Sequence, residues 1–261
     1  MKTKLFYFLV ASLFVLSSCS SDTDGRDIEP ITKTEPIIDP KPESNPIIDN
    51  QILVKKIIST DEKGLVTTIL YNYDGNKIVS KLYNDTKLGM YYTYSGDLIT
   101  KLEYKFADGT IDQIDTYKYD GDKKIIEFFS TQPGQEKWDH YEFYVYNADG
   151  TVSVYSEDGF KYSTITFLNG EVSEIVSTNS PNFKYTYDTK NNPEKNILGM
   201  DKIAFTYGEA SGVLRNIISE TYGYGNDAKT TTLKITYNAD GYPVKSFDNF
   251  EDTGTTKEYF Y

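Results

Sequence analysis

Residues 138–146 carry the side chains whose types and spacing best suit binding chemistry in this chain. In an extended strand every second residue lies on the same face. On one face of this segment the sequence places Trp138, His140, Glu142 and Tyr144. Aromatic rings of this kind stack on a sugar ring, while imidazole and carboxylate groups bond its hydroxyls. The segment is therefore a candidate glycan-binding face, but the interpretation that we favour for the strand is burial on both sides, with Trp138 and His140 in ordinary packing contacts.

Other kinds of reactive site find less support in the residue types. His140 is the only histidine and Cys19 the only cysteine, so no Cys/His metal site and no thiol or serine–histidine catalysis is predicted. The 39 Asp and Glu residues leave hydrolysis by a carboxylate pair open, but no spacing singles out a pair. We therefore predict a protein without catalytic residues, cofactor or metal.

The first nineteen residues predict a signal peptide and a lipid anchor. Lys2 and Lys4 precede an apolar stretch, residues 5–16, that is too short to span a bilayer. The run Leu16-Ser17-Ser18-Cys19 resembles the lipobox of bacterial lipoproteins, in which the cysteine receives the lipid. This resemblance implies that residues 1–18 are removed. It also implies that acyl chains on Cys19 hold the protein at the outer membrane of the cell envelope, on its periplasmic or its surface face.

Composition separates a tether from a folded domain. Residues 19–51 hold five of the nine prolines, eight acidic against three basic side chains and no aromatic residue, which is typical of a disordered tether. Without residues 1–18 the chain has 25 basic and 39 acidic residues, a net charge of −14. Such acidity argues against nucleic acid, whose phosphates need a basic surface. The predicted partners are the membrane, through the lipid on Cys19, and a glycan or another envelope protein.

Residues 52–261 contain a repeated unit of an aromatic pair, a turn and an apolar strand. The pairs are Tyr71-Asn72-Tyr73, Tyr92-Thr93-Tyr94, Tyr117-Lys118-Tyr119, Tyr144-Val145-Tyr146, Ile165-Thr166-Phe167, Tyr185-Thr186-Tyr187, Phe205-Thr206-Tyr207 and Ile235-Thr236-Tyr237. Asp-Gly and Asn-Gly corners after the pairs supply the positive φ that tight hairpins require. We predict an all-β domain, a long antiparallel meander of roughly 17 strands that forms a curled or barrel-like, water-soluble sheet.

The repeat is interrupted at residues 191–199. Asn192 is predicted to cap a short helical turn with Pro193 at its first position, and Gly199 is predicted to end it. The repeat is then expected to resume, with Phe205-Thr206-Tyr207 as the aromatic pair of a strand and residues 213–217 as a return strand.

The unit Y-x-Y-[DN]-x-x-G resembles the YD-repeat family, whose sheets are built from such hairpins. A closer resemblance is to a domain family of unknown function in Bacteroidota lipoproteins, described as porin-like in fold. It is carried by Tyr185-Thr186-Tyr187-Asp188 and Lys190-Asn191-Asn192-Pro193, with Glu194 where that family has an aromatic residue. The resemblance covers residues 52–261, implies a barrel-like fold and transfers no catalytic residue. A membrane-spanning barrel is less favoured, because charged residues such as Lys101 and Glu127 interrupt the strands.

The tyrosines allow two interpretations, and the function three. The 23 tyrosines after residue 18 could form a glycan platform or an aromatic core, and their regular spacing favours packing, because a binding site usually breaks a repeat. The preferred function is a non-enzymatic envelope protein that binds a glycan or another envelope protein. The alternatives are a structural or assembly component of the envelope and, below it, a carboxylate-based hydrolase.

Overall fold

A computed structural model of the chain describes residues 51–84, 88–249 and 254–261. It contains sixteen antiparallel strands that form one closed barrel, which confirms the predicted all-β fold. The predicted signal peptide, Cys19 and the tether of residues 19–51, apart from Gln51, lie outside the described residues. No helix among the described residues is long and apolar enough to cross a membrane.

The strands follow one another around the barrel in chain order. Their bounds are β1 Lys56–Thr60, β2 Val66–Asp74, β3 Lys77–Tyr83, β4 Leu88–Ser95, β5 Leu98–Phe106, β6 Ile111–Tyr119, β7 Ile125–Thr131, β8 His140–Tyr146, β9 Val152–Tyr155, β10 Lys161–Leu168, β11 Glu171–Ser177, β12 Asn182–Tyr187, β13 Ile217–Gly223, β14 Lys229–Tyr237, β15 Pro243–Asp248 and β16 Thr255–Phe260. The helical pieces are α1, Met200–Ile203, and the 3-10 turns Glu136–Trp138 and Gly225–Asp227. Strand β16 pairs with β1, with Tyr259 opposite Ile57, and closes the barrel. Closure pairs each of the sixteen described strands on both sides, which protects their edges from pairing with another chain.

The aromatic pairs of the repeat face the barrel interior. The first member is buried, as in Tyr71, Tyr117 and Tyr144. In three of the pairs the hydroxyl of the second member donates to a main-chain carbonyl of a nearby strand or of the residue that flanks it. These bonds join Tyr73 to Val54 at 2.7 Å, Tyr119 to Ile99 at 2.6 Å and Tyr187 to Val172 at 2.7 Å. A buried phenol ring needs such a partner for its hydroxyl, so the regular tyrosine spacing follows from the packing of the core.

Among the described residues, six hairpin turns share one geometry, and one of these turns differs from the others in residue type. In each, the residue after the corner donates its N–H back to the carbonyl three positions earlier and has positive φ. Five of these residues are glycines: Gly64, Gly109, Gly150, Gly159 and Gly241. The sixth is Lys123, with φ 62°. A side chain in this left-handed region costs roughly 1–2 kcal/mol, which glycine avoids.

Residues 188–216, which connect β12 to β13, fold into the barrel interior, and we name them the plug. The Glu194 carboxylate of the plug accepts a hydrogen bond from the Tyr71 hydroxyl of β2 at 2.9 Å. Farther along, the Tyr207 N–H donates to Glu142 of β8 at 3.1 Å. The plug therefore crosses the interior from β2 to β8.

Two predicted strands are wrong, because they belong to the plug. Phe205-Thr206-Tyr207 follows α1 as a turn, and residues 213–216 form a loop before β13, which begins at Ile217. The Phe205 ring turns into the core, edge-on to Tyr144 with centroids 5.7 Å apart and to Phe167 with centroids 5.3 Å apart. Burial inside the barrel satisfies these apolar residues without strand pairing, and the barrel has sixteen strands where roughly 17 are predicted.

The predicted helical turn is confirmed at its start and wrong at its end. The Asn192 side chain accepts the N–H of Glu194 at 2.8 Å, as a capping residue does. Gly199, however, precedes α1 and does not end the turn. Its φ is +77°, and a Cβ there would lie 2.8 Å from the Asp97 carbonyl oxygen. This close approach of plug and wall requires glycine.

Connections alternate between the two ends of the barrel. The end that holds the plug, which we name the plug rim, carries the connections after the even-numbered strands. The other end, the opposite rim, carries the connections after the odd-numbered strands, including those from β7 to β8 and from β9 to β10.

Candidate functional site

Strand β8 brings three of the four predicted ligand-binding residues onto one face. His140, Glu142 and Tyr144 lie on its inner face, and Glu142 and Tyr144 are 1% and 4% exposed. Trp138 lies outside the strand, at the end of the 3-10 turn Glu136–Trp138, and is 60% exposed. Its predicted place on the strand face is wrong, because the turn breaks the two-residue alternation before β8 begins.

Glu142 is the centre of a polar network that joins β8 to the plug. Its carboxyl group lies 2.9 Å from Nε2 of His140 and accepts the Tyr207 N–H at 3.1 Å. It also accepts the hydroxyl of Tyr144, whose pKa is raised by burial and by the nearby Glu142. A buried carboxyl group needs such partners. The polar groups of Glu142 and Tyr144 are therefore used in hydrogen bonds that hold the plug.

His140 lies between this network and the opposite rim. Its ring stacks on the Tyr207 ring with centroids 4.9 Å apart. It also meets the edges of Phe128 and Tyr162 at 6.1 and 6.3 Å. About a third of its side chain is exposed. His140 is thus a fixed ring whose exposed part is available to a ligand.

A groove of about 560 Å³ lies beside His140 at the opposite rim, and we name it the rim groove. The connections from β7 to β8, from β9 to β10 and from β11 to β12 surround it. Its lining includes Asp139, His140, Glu157, Phe160, Tyr162 and Asn179. Its volume falls within the usual range of small-molecule sites, roughly 300–1,000 Å³.

The rim groove combines an exposed ring with an acceptor that lacks a donor. The Phe160 side chain is 50% exposed. Oδ1 of Asp139 is buried and has no hydrogen-bond partner among the described residues. Asp158 differs, because hydrogen bonds from the Ser156 hydroxyl and the Phe160 N–H hold its pKa below the usual range. Since unpaired buried polar atoms are costly, Oδ1 of Asp139 and the hydroxyl of Tyr162, which also lines the groove and also lacks a partner, are the groove atoms left for a ligand to satisfy.

A second cavity, of about 350 Å³, lies inside the barrel against the plug, and we name it the luminal chamber. At its wall Lys81 and Glu194 form an ion pair of 2.7 Å, and the Lys81 ammonium lies 5.1 Å from the centre of the Tyr71 ring. Glu194 thus ties the plug to the wall by charge. Asp115 of β6 also lines the chamber, and burial raises its pKa.

Replacing Asp115 by Asn should make the stability of the fold less dependent on pH. Because burial raises the pKa of Asp115, the folded chain keeps this proton to higher pH than the unfolded chain does. The fold therefore loses stability as the pH rises from the pKa of Asp115 in the unfolded chain to its pKa in the folded chain. The variant should gain stability relative to the natural chain as pH rises through the pKa of Asp115. Urea unfolding of both proteins between about pH 4 and about pH 8 measures this, and a pH-independent difference would contradict it.

The carboxylate-based hydrolase alternative would use two other carboxyl groups of the barrel interior. Glu220 of β13 has a pKa raised by burial and then by the charge of Glu209, which belongs to the plug. A raised pKa suits a general acid, and Glu209 lines the luminal chamber. Over the described ranges, no group of three or more His, Cys, Asp or Glu side chains is placed to hold a metal ion.

Comparisons with known proteins concern the fold alone. No protein-family model matches the sequence, and no curated protein matches it. Among solved structures, the chain is similar to the crystal structure of a porin-like protein from Bacteroides uniformis ATCC 8492. The identity is 13%, the match covers 79% of this chain and 97% of that chain, and the TM-score is 0.48.

Sequence patterns do not indicate the rim groove. Asp139, Phe160 and Asn179 lie on three separate connections, and the pairing of six strands brings them together. The local signal is Phe160, an aromatic residue directly after an Asp-Gly corner. The sequence does not predict that the Asp139 oxygen lacks a hydrogen-bond partner, because this depends on which groups surround the oxygen in the folded chain.

Proposed function

We propose that this protein is a non-enzymatic, lipid-anchored protein of the cell envelope that binds a glycan in the rim groove. The observation that carries the proposal is the groove with its exposed Phe160 ring and the unpartnered, buried oxygen of Asp139. A sugar offers an apolar C–H face to a ring and hydroxyl donors to a carboxylate. Both features of the groove therefore suit one class of ligand.

The proposed site retains His140, one of the four predicted ligand-binding residues, and lies closer to the opposite rim than the predicted strand face. Glu142 and Tyr144 lie behind His140, where they attach the plug and orient the imidazole ring. Trp138 is exposed at the same rim and does not belong to the groove lining. His140 thus joins Asp139 and Phe160 as a contact residue for the glycan.

A water-facing barrel wall supports attachment by lipid. Side chains of the outer face form ion pairs between Lys101 and Glu103 at 3.1 Å, Lys105 and Glu103 at 3.2 Å, and Lys118 and Glu127 at 2.6 Å. Charged side chains facing lipid are costly in the middle of a barrel wall, whereas they are ordinary in water. We therefore propose a water-soluble barrel, held at the membrane through the predicted lipid on Cys19.

A glycan array tests the rim groove. The probe is the mature chain, residues 19–261, with Cys19→Ser to prevent acylation. Phe160→Ala and Asp139→Ala should each weaken binding of a hit roughly tenfold, or about 1.4 kcal/mol, because one removes the stacking ring and the other the acceptor. Trp138→Ala is the matched control, an exposed aromatic residue of the same rim outside the groove, and should bind normally.

Two results would count against the proposal. Binding lost in Trp138→Ala and kept in Phe160→Ala would place the site on the rim outside the groove. An array without any hit, from protein with normal circular dichroism, would contradict glycan binding. In that case a protein partner or a structural role in the envelope becomes the better interpretation, and crosslinking in cells followed by purification identifies the partner.

A further inference from the structure

A pit at the plug rim is lined by aromatic and basic side chains, although the chain as a whole is acidic. Its volume is about 420 Å³. Aromatic side chains of the wall and the plug form its apolar part, and lysines of a hairpin turn and of α1 surround it. The residues that matter here are Tyr146, Phe167, Phe205, Lys123, Lys124 and Lys202, and we name the site the lysine pit. It lies at the other end of the barrel from the rim groove and shares no lining residue with it.

The side chains that line the lysine pit are positive on balance, and the carboxylates of Asp97 and Asp120 lie just outside the lining. Three lysines line it against one acidic residue, Asp201, which pairs with Lys202 at 2.8 Å. Lys123 faces Asp97 at 3.8 Å, a long ion pair between two exposed side chains and therefore a weak one. The ammonium group of Lys124 lies 5.0 Å from the centre of the Tyr146 ring, at the boundary of the charged and apolar parts. The chain as a whole carries a net charge of −12.

Lys123 has a backbone conformation that is unfavourable for a residue with a side chain. Its φ is 62°, and the five other turns of the same geometry have glycine at this point. Neither member of its long ion pair is buried, so that contact does little to offset the strain. Residues held in strained backbone conformations cluster at binding sites. The strained turn is thus a second indication, independent of the cavity, that a cation at this edge of the pit has a use.

We propose that the lysine pit binds an anionic amphiphile, with its anionic head among Lys123, Lys124 and Lys202 and its apolar chain against Phe167 and Phe205. An apolar chain buried against aromatic rings supplies affinity, and the lysines supply selection for a negative head. A fatty-acid carboxylate and a lipid phosphate share this chemistry. The proposal is independent of glycan binding in the rim groove.

Calorimetric titration of the mature chain carrying Cys19→Ser tests this inference, with decanoate as the probe and decanol as the uncharged probe of equal chain length. Decanoate should bind at least about tenfold more tightly than decanol. Decyl phosphate distinguishes the two sources, because the tighter of the two anions identifies the preferred head group. Equal binding of decanoate and decanol would overturn the proposal, as would inorganic phosphate that binds as tightly as decyl phosphate.

Lys123→Gly separates binding from folding. Glycine relieves the turn, so the melting temperature Tm should rise by about 2–4 °C. The affinity for decanoate should nevertheless fall roughly three- to fivefold, because a cation at the pit is lost. Lys202→Gln leaves the turn unchanged and should weaken decanoate binding to a similar extent. Lys63→Ala, an exposed lysine of the opposite rim, should change nothing. Unaltered affinity in both Lys123→Gly and Lys202→Gln would overturn the proposal.

Discussion

Replacing Glu171 by Ala should lower the free energy of unfolding by about 3–5 kcal/mol. Glu171 begins β11 and is 7% exposed. Its carboxylate accepts the main-chain N–H groups of Leu214 at 2.7 Å, Arg215 at 2.6 Å and Val213 at 3.4 Å. These amides form the end of the plug, where the chain leaves the barrel interior for β13. Alanine would leave three donors without the acceptor that holds them.

Urea unfolding followed by circular dichroism measures this loss. Glu174→Ala is the matched control, because Glu174 lies on the same strand, is paired with outward-facing neighbours and should change stability by less than about 0.5 kcal/mol. Glu171→Gln keeps one acceptor oxygen and should fall between the two. Equal losses in Glu171→Ala and Glu174→Ala would contradict the role of Glu171 in holding the plug.

Phe205→Ala should destabilise the protein to a similar extent, about 3–5 kcal/mol. Phe205 is 7% exposed, and its ring fills the space between Tyr144 of β8 and Phe167 of β10. Truncation removes buried apolar area and leaves a cavity that the rigid barrel wall can fill only in part. The plug should also loosen, because Phe205 and Tyr207 are the plug rings that contact this side of the wall, and the variant removes one of them.

Two measurements test the Phe205 prediction. Urea unfolding gives the stability, and limited proteolysis shows whether cleavage within residues 188–216 becomes faster than in the natural chain. Phe106→Ala is the control, since that side chain is 42% exposed at the end of β5. Unchanged stability together with unchanged proteolysis would show that the plug does not depend on Phe205.

Both predictions concern the plug because it supports the two proposed sites. Tyr207 of the plug stacks against His140, which lines the rim groove. Phe205 and Lys202 of the plug form part of the lysine pit at the other end. A loosened plug should therefore weaken binding at both ends of the barrel, whereas Phe160→Ala and Lys123→Gly should each affect one end. This difference separates loss of support from loss of a contact.

Local regularity let the sequence predict the strands and turns. Pairs such as Tyr71-Asn72-Tyr73 alternate with a period of two, and the corners after them contain residues that tolerate positive φ. Both signals depend on neighbouring residues alone, so hairpins and the shared inner face of His140, Glu142 and Tyr144 follow from them. The position of Trp138 did not follow, because a 3-10 turn sets the start of β8.

The sequence by itself thus determined an all-β chain of hairpins with aromatic residues on one face. Tertiary structure decided that the sheet closes into a barrel and that residues 188–216 fill it. Phe205-Thr206-Tyr207 has the same local pattern as the true strand pairs, but its surroundings are the barrel interior. Glu194 and Lys81, more than 100 residues apart, meet only because the plug returns to β3. The alternation of apolar and polar residues predicts which side of a strand is buried. Which residues cover that side depends on the closed fold, because they come from distant parts of the chain.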